Sequence, residues 1–172
     1  MKSNIVLCGF MASGKTTIGR IISEITGKVF VDTDALIEQK MNMSIREIFS
    51  ELGERYFRGL ERDVVNEVSS RKNQVIALGG GAVLDPENVR DVKREGIVYL
   101  LKVSPEEAVK RARSTKGSRP LLADQAEDAE ILMRAREEAY LNAADVVIET
   151  DERDPEELAR QIIEDFSKRC EE

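Results

Sequence analysis

The sequence predicts a three-layer α/β/α fold around a five-stranded parallel sheet, and three observations carry that prediction. Short apolar runs recur along the 172 residues. Stretches with helical periodicity lie between them, and strands alternating with helices imply a parallel sheet covered on both faces. No long linker, repeat or low-complexity segment interrupts the alternation, so residues 1–172 read as one domain.

Each element has its own justification. NIVLC (4–8), QVIAL (74–78), IVYLL (97–101) and DVVIE (145–149) are short apolar runs that read as buried parallel strands, and KVFVD (28–32) adds a fifth. Leu60, Val64, Val65 and Val68 share one helical face, as do Leu158, Ile162, Ile163 and Phe166. DPEN (85–88), SPEE (104–107) and DPEE (154–157) each offer an N-cap residue, then proline at the first helical position, then glutamate. SIRE (44–47) reads as a capping box. Two regions stand outside the alternation. Residues 33–61 are helical with no strand, and residues 113–124 are polar and basic.

Composition narrows the chemistry. With 26 Lys and Arg against 33 Asp and Glu, the net charge of −7 argues against a nucleic-acid partner. No apolar run approaches the ~20 residues of a membrane span. The start, Met1-Lys2 followed by a strand, does not read as a signal peptide, so a cytoplasmic protein is expected. Cys8 in an apolar run and Cys170 in a charged tail make no disulfide framework. There is no histidine, so proton transfer falls to carboxylate, lysine or water.

GFMASGKT (9–16) matches G-x-x-x-x-G-K-[ST], the phosphate-binding P-loop, and sits between a strand and a helix as that motif requires. Glycines let the backbone turn its N–H groups onto a phosphate chain, and the following helix adds its positive end. The nucleotide-binding set is Met11, Ala12, Ser13, Gly14, Lys15, Thr16 and Thr17, with Lys15 as the cation for the β- and γ-phosphates of a nucleotide triphosphate and the Thr16 hydroxyl as a ligand for Mg²⁺.

Four further features admit two readings each. In VFVDTDALI (29–37), Asp32 and Asp34 point the same way if the chain is extended, one toward Mg²⁺ and the other toward an acceptor hydroxyl; equally, Asp32 or Thr33 caps the next helix. Arg58 and Glu61 lie one turn apart, as a ligand-binding pair or as a solvated ion pair. Gly79, Gly80 and Gly81 follow a strand, where a backbone approaches a ligand or simply turns. Lys110, Arg111, Arg113, Lys116 and Arg119 make a basic stretch, a mobile lid over phosphates or a solvated face.

Together these pieces resemble the shikimate kinase family, within the nucleoside-monophosphate-kinase-like P-loop proteins. The resemblance spans almost the whole chain: GFMASGKTTIG, FVDTD, SIREIF, GERYFRGLE, ALGGGAV, RPLL, the Arg136…Tyr140…Ala144-Asp145 stretch and DERDP. It implies that shikimate and ATP are the substrates, with Mg²⁺. It implies catalytic roles for Lys15, Asp34 and Arg119, and a metal site at Thr16 helped by Asp32. Arg58 and Arg136 would hold the substrate carboxylate, with Glu61 and the Gly79–Gly81 backbone close by. Arg113 and Pro155 would flank the adenine. Residues 33–61 would be the substrate-binding segment and 113–124 the lid. Where the family carries glycine this chain has Ala12, which implies a stiffer loop. A monomer is expected, and the family also occurs fused to other enzymes of the same pathway. A gluconate-type kinase and a non-catalytic nucleotide switch are the alternatives. The first differs in which acceptor is phosphorylated, the second in releasing no ADP.

Overall fold

Strand β1 (Asn4–Cys8) lies at the centre of the sheet. The strand order is β2 (Val29–Asp32), β3 (Gln74–Ala77), β1, β4 (Gly96–Lys102) and β5 (Val146–Glu149), with every neighbouring pair parallel. The computed structural model describes residues 1–114 and 126–171. Eight α-helices appear among them: α1 (Lys15–Thr26), α2 (Thr33–Met41), α3 (Ile45–Leu52), α4 (Glu54–Ser69), α5 (Pro86–Glu95), α6 (Pro105–Ser114), α7 (Ala126–Ala143) and α8 (Pro155–Glu171). A single 3₁₀ turn covers Ala82–Leu84.

Alternation along β1 divides the core in two. Ile5 and Leu7 join Ile18 and Ile22 of α1 and Leu158 and Ile162 of α8. Val6 and Cys8 join Val65 and Val68 of α4, Val92 of α5 and Tyr140 of α7. A sheet clothed on both faces is the predicted three-layer arrangement. The prediction of five buried runs holds for the three inner strands only. Val29 of β2 is 61% exposed and Val147 of β5 is 44% exposed, because an edge strand has a neighbour on one side alone.

The cap signals act as read. Asp85 accepts from the Glu87 amide at 2.9 Å, Ser104 from Glu107 at 3.2 Å and Asp154 from Glu157 at 3.1 Å. Ser44 and Glu47 form a reciprocal capping box. Residues 33–61 fold as α2, α3 and the first half of α4, with no strand. No helix among the described residues is long and apolar enough to cross a membrane.

Strand order fixes where a ligand can sit. After β1 the chain moves toward β2, whereas after β3 it moves the other way, past β1, to β4. The helices that follow also take opposite faces, α1 on one and α5 on the other. The connections therefore diverge above the C-terminal ends of β1 and β3 and leave a crevice between them. The loop 9–14 leaves β1 into one wall of that crevice, and Gly79–Gly81 leave β3 into the other.

Candidate active site

The loop after β1 turns on two glycines with left-handed φ, Gly9 at 146° and Gly14 at 97°. A Cβ at Gly9 would fall 2.5 Å from the Leu101 carbonyl oxygen and 2.9 Å from Ser13 Oγ, so this turn has room for glycine alone. Gly14 is the N-cap of α1, so the unpaired amides of the first turn open onto the loop. Lys15 Nζ donates to the carbonyl oxygens of Gly9 at 2.6 Å and Phe10 at 3.0 Å. The Thr16 hydroxyl donates to Asp32 Oδ2 at 3.0 Å, while Asp32 Oδ1 accepts from the Ala35 amide at 3.1 Å. The capping reading of Asp32 therefore holds through one oxygen, while the other is bonded to Thr16 at the start of α1.

Asp34 stands in the first turn of α2, facing the glycine run. Its Oδ1 is buried without a hydrogen-bond partner among the described residues. Burial pushes its carboxyl up to about 6, helped by the neighbouring charges of Asp32 and Glu61 and opposed by Lys15. Glu61, 2% exposed on α4, accepts from Arg58 Nη1 at 2.7 Å through Oε1, while its Oε2 is buried and unpartnered. Burial raises its carboxyl too, against the pull of Arg58. Arg136 on α7 buries an Nε that has no partner among the described residues. Tyr140, one turn on, donates its hydroxyl to the Gly80 carbonyl at 2.5 Å, and burial raises that phenol to about 12.

The three glycines of 79–81 each face one of these groups. A Cβ on Gly79 would collide with the Asp34 carboxylate. One on Gly80 would come 3.3 Å from Arg136 Nη1, and one on Gly81 would come 2.6 Å from both Arg58 η-nitrogens. None of the three has positive φ. Space, not backbone conformation, is what glycine supplies here, most tightly at Gly79 and Gly81. The same turn is tied to the end of β2, because the buried Thr33 hydroxyl accepts from the Gly79 amide at 3.0 Å.

The chemistry of the two walls is now explicit. One offers a lysine and the start of a helix, suited to a polyphosphate. The other offers two guanidinium groups and two carboxyls raised by burial, suited to a small anionic polyol. A family model described as shikimate kinase matches residues 11–167. This chain belongs to the shikimate kinase family.

Over 167 residues it is 42% identical to the shikimate kinase of Caldanaerobacter subterraneus subsp. tengcongensis, covering 96% of each chain. It is 43% identical over 165 residues to that of Moorella thermoacetica, covering 95% of this chain and 94% of the relative. The shikimate kinase from Acinetobacter baumannii, solved in complex with shikimate, superposes with a TM-score of 0.89 at 37% identity, covering 98% of this chain and 95% of that one.

Within this shikimate kinase family member, most residues singled out from the sequence converge on the crevice. Lys15, Thr16 and Asp32 are joined directly or through the loop, and Asp34, Arg58, Glu61, Gly79–Gly81 and Arg136 line the opposite wall. Thr17 points outward and is exposed. On α6 the arginine brought to the loop is Arg111, not Arg113. Arg111 Nη1 donates to the Ala12 carbonyl at 3.2 Å, its Nη2 to the Thr150 carbonyl at 2.9 Å, and its Nε to Glu107 at 3.0 Å. Arg113 is exposed in the last turn of that helix, and Pro155 is exposed at the first position of α8. Arg119 and nearly all of the expected lid, 115–124, lie outside the described residues. Three contributors were not among the site residues read from the sequence: Thr33, read as a possible helix cap, Arg111, read as one of a basic stretch, and Tyr140, quoted only within the resemblance. For Arg111 a signal existed in its i,i+4 spacing from Glu107, which aims the guanidinium back along α6.

Proposed function

We propose that this chain transfers the γ-phosphoryl group of ATP to the 3-hydroxyl of shikimate, giving shikimate 3-phosphate and ADP. The observation that carries the reading is the pairing of the P-loop wall with a wall holding Arg58, Arg136 and the raised Asp34 carboxyl across one crevice. Membership of the shikimate kinase family and the likeness to a shikimate-bound structure support the same acceptor.

Lys15 leaves the Gly9 and Phe10 carbonyls for the transferring phosphoryl group, where a positioned cation lowers the charge cost of the transition state. Arg58 and Arg136 take the acceptor carboxylate, which the planar fork of guanidinium suits. Their grip orients the ring, and orientation matters more than deprotonation when the transition state is loose. Asp34 accepts the hydroxyl proton as the bond to phosphorus forms. A carboxyl held near 6 by burial is a better acceptor for it than an ordinary aspartate. Glu61 holds Arg58 from below, so the fork is aimed before the acceptor arrives. On the nucleotide side, Arg111 braces the loop at Ala12 and stands close to where the base would leave the phosphates.

The Thr16 hydroxyl and Asp32 Oδ2, 3.0 Å apart, are hard oxygen donors of the kind Mg²⁺ prefers. They would hold it jointly with the phosphates, where it would neutralise charge on the β- and γ-oxygens.

The test is ADP release in a coupled assay across shikimate, gluconate and a panel of nucleoside monophosphates. Turnover with shikimate alone is the expected result. Equal or faster turnover with gluconate, or release of ADP only with a nucleoside monophosphate, overturns the assignment. No release with any acceptor leaves the chain a nucleotide-binding module.

A further inference from the structure

One turn beyond Arg58 on the same face of α4 stands Arg62, which belongs to neither wall of the crevice. Its Nη2 donates to Asp91 Oδ2 at 2.6 Å, its Nη1 to Asn88 Oδ1 at 3.1 Å and its Nε to Glu87 at 3.3 Å, all on α5. Asp91 is 1% exposed and also accepts from Asn66 Nδ2 at 3.0 Å. Burial works against its charge, and donation from Asn66 and Arg62 outweighs that, holding the carboxyl below the ordinary range. Asn88, likewise 1% exposed, donates its Nδ2 to the Ala82 carbonyl at 2.9 Å.

Ala82 is the residue after the glycine run, and its amide closes the turn onto the Gly79 carbonyl at 3.0 Å. The path Arg62–Asn88–Ala82–Gly81 therefore returns to α4 through Arg58, whose η-nitrogens leave no space for a side chain on Gly81. Its last step, from Gly81 to Arg58, is close packing and not a hydrogen bond. The circuit starts and ends on the same helix, one turn apart, and passes behind the wall that faces the acceptor. Its two hydrogen bonds, Arg62 to Asn88 and Asn88 to the Ala82 carbonyl, both run through a side chain that is 1% exposed, which leaves that stretch little freedom to lengthen.

We propose that Arg62 and Asn88 are positioning residues for the acceptor: they set the separation between α4 and the glycine turn, and so aim the Arg58 guanidinium at the substrate carboxylate. The proposal rests on the reading of Arg58 as a carboxylate partner. A mere stabilising tie between α4 and α5 would lower melting temperature and reduce activity without choosing between substrates. A positioning circuit affects the acceptor and spares the nucleotide, because the P-loop hangs from β1 and α1 and takes no part in it.

Initial-rate kinetics on Asn88→Ala and Arg62→Lys separate these. The first removes the link to the Ala82 carbonyl and leaves the Arg62–Asp91 pair. The second keeps a cation for Asp91 and loses the fork that also reaches Asn88. Each should raise the KM for shikimate about tenfold and leave the KM for ATP within about twofold. The decisive arm is a double-mutant cycle with Arg58→Lys. Once the fork at 58 is gone, adding Asn88→Ala should cost less than about twofold more. Tyr99→Phe, which removes a buried hydroxyl bond to Asp165 on the other face of the sheet, serves as the stability control and should leave the KM for shikimate unchanged.

Wild-type ADP release with shikimate is measured first. Its absence overturns the substrate assignment, and this inference with it. Its presence with strictly additive penalties, or with equal rises in both KM values, overturns the positioning role alone.

Discussion

Lys15, on one wall of the crevice, is tied to two carbonyls of its own loop, whereas Arg136, on the other, buries an Nε with no partner among the described residues. The contrast extends along both walls. On the nucleotide side Thr16 and Arg111 are hydrogen-bonded within the protein, and of its buried side-chain atoms Ser13 Oγ is left unpartnered. On the acceptor side Asp34 Oδ1, Glu61 Oε2 and Arg136 Nε are all buried without partners among the described residues. A buried polar group without a partner costs roughly 1–3 kcal/mol. The acceptor wall therefore carries a standing cost that a polar ligand can relieve, and the nucleotide wall must exchange bonds it already has. The first arrangement favours discrimination among acceptors, since an acceptor lacking the right groups leaves those atoms unpaired. The second suits a polyphosphate, whose charge is large enough to displace carbonyls from an ammonium.

Four substitutions sharpen or break this comparison. Lys15→Ala has the largest expected effect. Losing the cation at the transferring group should cut kcat at least ~100-fold, about 3 kcal/mol in the barrier, while circular dichroism and melting temperature stay close to wild type. Near-normal turnover in a folded Lys15→Ala protein would refute the nucleotide wall.

Asp34→Asn probes the strain on the acceptor side. A carboxyl raised to about 6 binds its proton more tightly folded than unfolded, so its contribution to stability is most favourable at low pH and declines as pH rises from ~4 toward 6. Removing the charge should therefore stabilise the protein at pH 8 by on the order of 2 kcal/mol, a gain that fades by pH ~4, while activity collapses. In the wild type, kcat/KM for shikimate should fall as pH drops below about 6. Denaturant melts across pH check the first statement and a pH–rate profile the second. A loss of stability at pH 8 in the Asn variant would contradict the buried-charge account.

Gly81→Ala places a methyl 2.6 Å from both ends of the Arg58 fork. Because the far end of a side chain can move aside, the expected change is functional more than structural. The KM for shikimate should rise about tenfold, ~1.4 kcal/mol, with the KM for ATP unchanged in the same kinetic runs. If ATP suffers equally, the two walls are not independent.

The smallest effect belongs to Ala12→Gly. Ala12 sits at φ 62°, a left-handed conformation unfavourable for alanine and ordinary for glycine. Relief of that strain, offset by the greater freedom of glycine in the unfolded chain, should raise stability by up to about 1 kcal/mol in thermal melts. A drop in melting temperature would mean that the Arg111 contact to the Ala12 carbonyl depends on the alanine.

How much was legible from sequence varied with the range of the interaction. Ser44 with Glu47, and Asp85, Ser104 and Asp154 before their prolines, needed only neighbours a few residues away, and each cap forms. The P-loop was legible for the same reason, since its function is written in eight consecutive residues. Asp32 was ambiguous because its two oxygens face different ways, one to the Ala35 amide as a cap and the other to Thr16. Arg111 and Arg113 could not be ranked by charge or spacing, because what separates them is which side of α6 faces β1's loop. Nothing local marks Arg62, whose partners Asn88 and Asp91 lie 26 and 29 residues further along the chain.

By itself the sequence determined the order and kind of the secondary elements, the caps that bound the helices and the presence of a phosphate-binding loop, because those depend on periodicity and on groups close along the chain. Tertiary structure decided which residues face each other across the crevice. Gly79 to Gly81 illustrate why. None has the positive φ for which glycine is usually chosen, and each lies against a side chain from elsewhere in the fold, Asp34 of α2, Arg136 of α7 and Arg58 of α4. A demand for empty space leaves no local pattern, since it is set by what other parts of the chain bring there.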